Sequence, residues 1–238
     1  MIASTRDGDV VVIELQRPER RNALNLELCD AIAHEAQAAV DAGARAIVLT
    51  GQGSAFCAGA DLDGVYGPDF LRALYDMLHG LTRLPVPLIA AVNGPAIGGG
   101  SQLAMACDLR IADETARFAV PTVRNALAVD AWTIRTLAKL AGEGAARRVL
   151  VAGETVQRDA ALACGLVDRA GTVADAIAWA HELTALAPLS LAYNKAVLNG
   201  TLDDTGIQAA FDVIWASADA KEAELARAEK RTPVFEGR

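Results

Sequence analysis

The chain has 238 residues, enough for one domain with an appendage or for two, and 53% of them are hydrophobic, which excludes a disordered protein. A formal net charge of −8 with only 5% aromatics leaves no surplus of cations to neutralise phosphates and little surface for stacking bases. Broad binding to nucleic acid or to an anionic membrane is disfavoured on the same ground, although a small polyanion could still use a few local cations.

Cys29, Cys57, Cys107 and Cys164 are widely spaced without a C-x-x-C pair, and His34, His79 and His181 are scattered, so the reading is reduced thiols and no metal site. The start lacks the apolar core of a signal peptide and no apolar run reaches the length of a membrane span. A cytoplasmic protein is the expectation.

Val10 to Leu15 reads as a strand that ends at R-P-E-R-R-N-A-L-N, where Pro18 stops the ladder and three arginines cluster. Asn25 is placed to cap a helix whose face carries Leu26, Cys29, Ile32 and Ala33, with His34 towards the outside. Ala44 to Thr50 predicts a buried strand running into G-Q-G-S-A-F-C-A-G-A-D-L, whose G-x-G lacks the third glycine of a dinucleotide loop because Phe56 stands there. Asp69 to Arg83 predicts an amphipathic helix, delimited by Pro85 and Pro87.

Leu88 to Cys107 then reads as a short buried strand, a turn at Asn93-Gly94-Pro95 and a helix opening at Gly98-Gly99-Gly100 with helical spacing at Leu103, Ala104 and Cys107. Glycines let a ligand approach the backbone, and the first N–H groups of a helix have no intrahelical partner, so developing negative charge would be held there without reorganisation. Tight packing of helix on strand would also explain the glycines. A phosphate loop is disfavoured, since no Lys-Ser or Lys-Thr follows.

Asp108 to Ala112 and Arg117 to Val120 predict two short strands, the second ended by Pro121-Thr122, and Asp130 and Trp132 fall where a loop leads into a helix. From Gly142 helix formers dominate, broken around Gly153, Gly165 and Gly171; beyond Asp175 nearly everything reads as helix, divided at Pro188 and Gly200. A β-β-α unit recurs three times.

F-C-A-G-A-D-L at Phe56 to Leu62, N-G-P-A-I-G-G-G-S-Q-L-A-M-A-C-D-L-R at Asn93 to Arg110, the R-P-E-R-R-N-A-L-N start and the E-K-R ending together resemble the crotonase, or enoyl-CoA hydratase/isomerase, superfamily. The resemblance spans nearly the whole chain. It implies an α/β fold, a spiral core of β-β-α turns over residues 1–180, and a helical C-terminal region over 181–238 that drives assembly into a homotrimer or a hexamer of paired trimers.

It also implies an oxyanion hole from the backbone N–H groups of Ala60 and Gly99, holding the thioester oxygen of an acyl-CoA as it becomes enolate-like. Arg21, Asn22, Ala23, Leu24, Ala58, Asp61 and Leu62 would line the CoA arm, and Lys230 or Arg231 would reach its phosphates, if the tail is not simply a solvated charge run. Coenzyme A enters as part of the ligand, and no separate cofactor is implied.

Two departures set this chain apart from the family's hydratases. Gln102 and Thr122 stand where those enzymes carry their two glutamates. An amide can neither take nor release a proton, and a threonine hydroxyl orients water but hardly deprotonates it, while each lost acid or base costs roughly 10²–10⁴ in rate. Gln102 is expected to face substrate; Thr122 is either substrate-facing or an ordinary β-branched strand residue.

Asp130, thirty-one residues after Gly99, matches a position where dienoyl-CoA isomerases and chlorobenzoyl-CoA dehalogenases carry a catalytic aspartate. The competing reading is a helix cap before Ala131-Trp132. Trp132 reads as core or pocket wall, and the cysteines as small buried hydrophobes.

The Q-R-P-E-R-R-N-A-L start, A-R-A-I-V-L-T-G-Q-G, the substituted glutamates and A-L-A-V-D-A-W are similar to a mycobacterial branch of these homologues that binds fatty acyl-CoA in lipid and mycolic-acid synthesis. The expectation is therefore an acyl-CoA binder with impaired or no hydration. The rival is an active hydratase or double-bond isomerase using Asp130 or an ordered water, and a module that has lost CoA stands third.

Overall fold

Two sheets are built in parallel as the chain advances. The computed structural model describes residues 1–61 and 67–238; Leu62, expected at the CoA arm, lies outside them. The larger sheet contains β1 (Ile2–Asp7), β2 (Val10–Leu15), β3 (Ala46–Gly51), β4 (Leu88–Val92), β6 (Leu109–Ala112) and β9 (Arg169–Ala170), in the order β1-β2-β3-β4-β6-β9. Only the β1–β2 pair is antiparallel. The smaller sheet is β5 (Pro95–Ile97), β7 (Arg117–Ala119) and β8 (Val156–Gln157), extended by a parallel pairing of Cys57 with Ala96.

Each turn of the chain adds one element to each sheet and then a helix: β3, Cys57 and α2 (Pro68–Arg83); β4, β5 and α3 (Gly99–Ala106); β6, β7 and α4 (Ala131–Leu150). This is the repeated unit read from the sequence. The parallel strands need such crossovers, and the layers they create bury both faces of β3, every residue of which is inaccessible.

Ile47 and Leu49 point into the main core with Phe56, Leu103 and Phe118, while Ala46 and Val48 face α6 (Val173–Thr184) through its Ala176 and Ala180. Helix α6 runs across the 180/181 division drawn from the sequence. Its buried alanines place it with the core, so the outer helices begin at α7 (Pro188–Asn199), followed by α8 (Asp204–Ala216) and α9 (Ala218–Glu229).

Several expectations are corrected in detail. Ile2–Asp7 is an edge strand whose outer residues are exposed, so its sequence carries no apolar run to announce it. Pro95, expected at the end of a turn, opens β5 (Pro95–Ile97), where tertiary pairing with β7 overrides local turn chemistry. Asn25 caps α1 (Leu26–Asp41), its side chain accepting from Leu28 N–H, and His34 is exposed. Among the described residues no helix is long and apolar enough to cross a membrane.

Polar anchors fix the layers. The buried Arg110 guanidinium donates to Leu166 O and Cys107 O and pairs with Asp168 at 3.1 Å. Lys195 ties α7 to the core, donating to Val86 O and pairing with Asp108 at 2.8 Å. Burial pushes the Asp108 carboxyl up from its ordinary range, against the opposing pull of Lys195 and of Leu88 N–H.

Candidate functional site

The site grows from the loop between β3 and residue 61. Asn22, fully buried at φ 57°, donates through Nδ2 to Gln52 O and Ala55 O and accepts Arg17 N–H on Oδ1. Asn93 grips the loop from the other side, accepting Gly51 N–H and donating to Gly53 O. These two amides supply partners that no strand provides here, and so hold an irregular segment rigid. Cys57 N–H then donates to Pro95 O and Ile97 N–H to Cys57 O, locking the loop to the strand that leads into α3.

Two residues on, Leu24 N–H donates to Gly59 O and Asp61 N–H donates to Leu24 O. In a parallel pairing of this kind the residue between, Ala60, turns its own N–H to the opposite side. There it meets the start of α3: Ala60 N lies 3.7 Å from the point a Cβ on Gly99 would occupy. Among the described residues neither the Ala60 nor the Gly99 N–H donates to a protein acceptor.

Gly99 is the first residue of α3, where helix N–H groups have no intrahelical partner and the dipole is positive. The two amides therefore converge on one patch. The glycines are what makes this possible. A Cβ on Gly100 would sit 2.0 Å from Cys57 O, and Gly59 adopts φ 103° with Ile97 O 2.7 Å from its missing Cβ. Ser101, which carried no sequence signal, pins the helix start by donating to Ala96 O at 2.6 Å while accepting Ala119 N–H.

Beside the amides runs a chain of side chains that the sequence did not reveal. Gln102, 3% exposed, donates from Nε2 to Thr133 Oγ1 at 2.7 Å; Thr133 donates from Oγ1 to Asp130 Oδ1 at 2.6 Å. Asp130 also accepts Thr133 N–H at 3.0 Å, which makes it the cap of α4, and its Oδ2 lies 3.3 Å from His79 Nε2 on α2. Tyr75 Oη accepts the Asp130 N–H, and Trp132 packs edge-on to the His79 ring with centroids 5.3 Å apart. His79 and Thr133 sit on elements far apart in sequence, which is why spacing alone could not group them.

The other expected residues are distributed unevenly. Leu24 is buried against Gly99, Ala23 is buried, and Arg21 is exposed at the end of a short 3₁₀ turn, Pro18–Arg20. Ala58 is half-buried, its N–H donating to Arg21 O, and Asp61 pairs with Arg17 at 3.1 Å. Asn22 is committed to the loop by both ends of its amide, so its side chain is a structural tie.

Thr122 is not a strand residue: β7 ends at Ala119, and Thr122 opens a 3₁₀ turn, Thr122–Arg124, because Pro121 cannot continue the ladder. Lys230 ends α9 in the left-handed conformation, exposed. Arg231 is held by Glu222 and Glu229 of its own chain.

Burial pushes the thiols of Cys29, Cys57 and Cys107 up to about 12, which leaves them inert as nucleophiles near neutral pH. A cleft of 640 Å³ opens at the far end of α3, lined by Met105, Cys107, Trp132, Leu140 and Lys195. Neither amide donor nor Gln102 lines it, so volume and chemistry part company, and the convergent donors mark the site.

Paired main-chain donors at a helix start, carried on a two-sheet spiral, are an arrangement that can hold an oxygen gaining negative charge. The comparisons agree: the Enoyl-CoA hydratase/isomerase family profile matches residues 5–238, and the chain belongs to that family. It is 48% identical over 245 residues, covering all of both chains, to a Mycobacterium tuberculosis protein named "Probable enoyl-CoA hydratase echA6". It is 33% identical to the 2,3-dehydroadipyl-CoA hydratase of Escherichia coli, covering 98% of each. Among solved structures, an enoyl-CoA hydratase from Bacillus anthracis superimposes with a TM-score of 0.90 at 32% identity, covering 100% of this chain and 99% of that one.

Proposed function

We propose that this protein binds fatty acyl-CoA thioesters, the thioester oxygen seated between the N–H groups of Ala60 and Gly99, and that it hydrates enoyl-CoA poorly or not at all. The convergence of those two amides, neither of which has a protein acceptor among the described residues, with 3.7 Å from the Gly99 Cβ position to Ala60 N, carries the reading. Fixed main-chain donors in a preformed site stabilise a carbonyl oxygen that gains negative charge. Arg21, Ala23, Leu24, Ala58 and Asp61 flank the path on which the CoA arm would lie, and assembly as a homotrimer or hexamer would bring further residues to it.

Hydration needs a base and an acid beside C2 and C3. Gln102 and Thr122 occupy the places of the two glutamates, and the amide of Gln102 is already committed to Thr133. With each lost proton-transfer group costing about 10²–10⁴, turnover should fall by roughly 10⁴ or more relative to an authentic hydratase. The role proposed for it is in fatty-acid and mycolic-acid metabolism within the cytoplasm, and the resemblance to mycobacterial homologues supports that reading.

One observation favours the rival reading, an active hydratase or isomerase: Asp130 Oδ2 stands 3.3 Å from His79 Nε2, and Asp130 is joined through Thr133 to Gln102. Against it, the other carboxylate oxygen already accepts two hydrogen bonds from Thr133. Steady-state assays of hydration and double-bond migration, run beside calorimetric titration with a long-chain acyl-CoA, separate the readings. Binding without turnover supports the carrier. Hydratase-like turnover that Asp130→Asn abolishes overturns it, and absence of any binding heat removes acyl-CoA altogether.

A further inference from the structure

The polar chain beside the amides has a direction set by chemistry. A carboxylate only accepts hydrogen bonds, so the single Thr133 hydroxyl proton goes to Asp130 at 2.6 Å. Thr133 Oγ1 can then only accept, and the group that donates to it at 2.7 Å must be the NH₂ end of Gln102. This assignment follows from Asp130 and does not depend on telling oxygen from nitrogen in the Gln102 amide.

Gln102 Oε1 is thereby turned away from Thr133, and it takes no hydrogen bond among the described residues. No described buried side-chain nitrogen or oxygen is both sealed from solvent and unpaired, so Oε1 opens on accessible space although Gln102 as a whole is 3% exposed. It is three residues after Gly99 on one helical face, about 4.5 Å further along the axis.

We propose that Thr133, held by Asp130, is a positioning residue that fixes the Gln102 amide with its oxygen towards the acyl chain. The pocket therefore prefers thioesters carrying a hydroxyl at C3 over those carrying a 3-oxo group or no oxygen there. A hydroxyl donates to Oε1, whereas a 3-oxo oxygen would set two lone-pair acceptors against each other, and a plain methylene leaves a nearly buried acceptor unpaired. The inference rests on the acyl-thioester reading above.

The test is calorimetric titration of the full chain with 3-hydroxydodecanoyl-, 3-oxododecanoyl- and dodecanoyl-CoA. The 3-hydroxy thioester should bind about tenfold more tightly than either of the others. In Thr133→Val, which cannot accept from Gln102, that ratio should fall to about one, and in Thr133→Ser it should return. A loss of fold integrity would weaken all three ligands together and leave the ratio standing.

Gln102→Met, similar in shape but without the amide, should abolish the preference in the same way and serves if Thr133→Val does not fold. Equal affinities in the native protein, or a ratio that survives Gln102→Met or a folded Thr133→Val, overturn the proposal while leaving acyl-CoA binding intact. Failure of every thioester to bind removes the acyl-CoA reading itself and this preference with it.

Discussion

The two walls of the candidate site are built from different materials. On one side stand main-chain N–H groups, Ala60 and Gly99, positioned by Asn22, Asn93, Ser101 and the Cys57–Ala96 pairing. On the other stand the side chains of Gln102, Thr133, Asp130 and His79. A backbone donor survives any substitution that leaves the loop in place, whereas a side-chain acid or base is lost by one exchange. Binding and proton transfer can therefore part company within one fold, and the family likeness speaks more directly for the first than for the second.

The largest effect should come from breaking the main-chain wall. In Gly99→Val the added side chain meets Leu24 Cδ1, 3.1 Å from the Cβ position, and stands before Ala60 N–H. Acyl-CoA affinity should fall by roughly 10²-fold or more, by analogy with removal of an oxyanion donor, as titration would register.

Asn22→Ala attacks the same wall from behind. It strands the buried carbonyl of Ala55 and removes the partner of Gln52 O and of the Arg17 N–H, so unfolding in denaturant should show a loss of about 1–3 kcal/mol, with ligand affinity falling in step. Unchanged stability would mean that the loop is held by something else.

Gln102→Glu sharpens the contrast from the other wall. A carboxylate cannot donate to Thr133 and would face Asp130 across a single hydroxyl, so the substitution should cost about 1–3 kcal/mol and should not by itself restore hydration. Rapid hydration by this variant would show that one carboxylate was all that was missing.

The smallest effect concerns the tail. Arg231 and the Val234 N–H hold the half-buried Glu222 carboxyl down at about 2. A depressed carboxyl contributes stability that is present above its unfolded value and lost as pH falls through the folded one. Protection of the C-terminal segment from hydrogen exchange should thus persist from neutral pH to about pH 4 and decline towards pH 2. Protection that is flat over this range would show that Arg231 does not anchor the tail, and would make its guanidinium available to a ligand phosphate.

Periodicity and punctuation carried much of the architecture. Short apolar runs marked β2 and β4, amphipathic spacing and flanking prolines marked α2, the Asn25 cap was visible beside its helix, and the ordered glycine motifs carried the family. Those features are local, and their physics is complete within a dozen residues. Short strands such as β5 and the edge strand β1 were not legible, because pairing with distant segments defines them.

The sequence by itself determined which groups are available: two glycine-flanked amides, a glutamine three residues after Gly99, a threonine after Pro121, and an aspartate before α4. Only the tertiary structure decided what they do together. It turned Ala60 N–H towards Gly99, committed Asn22 to the loop and Arg231 to two glutamates, and joined Asp130, Thr133 and Gln102 to His79. Hydrogen bonds act over about 3 Å between residues that can stand 109 apart in the chain, as Lys195 and Val86 do, and their direction is set by which partner can only accept.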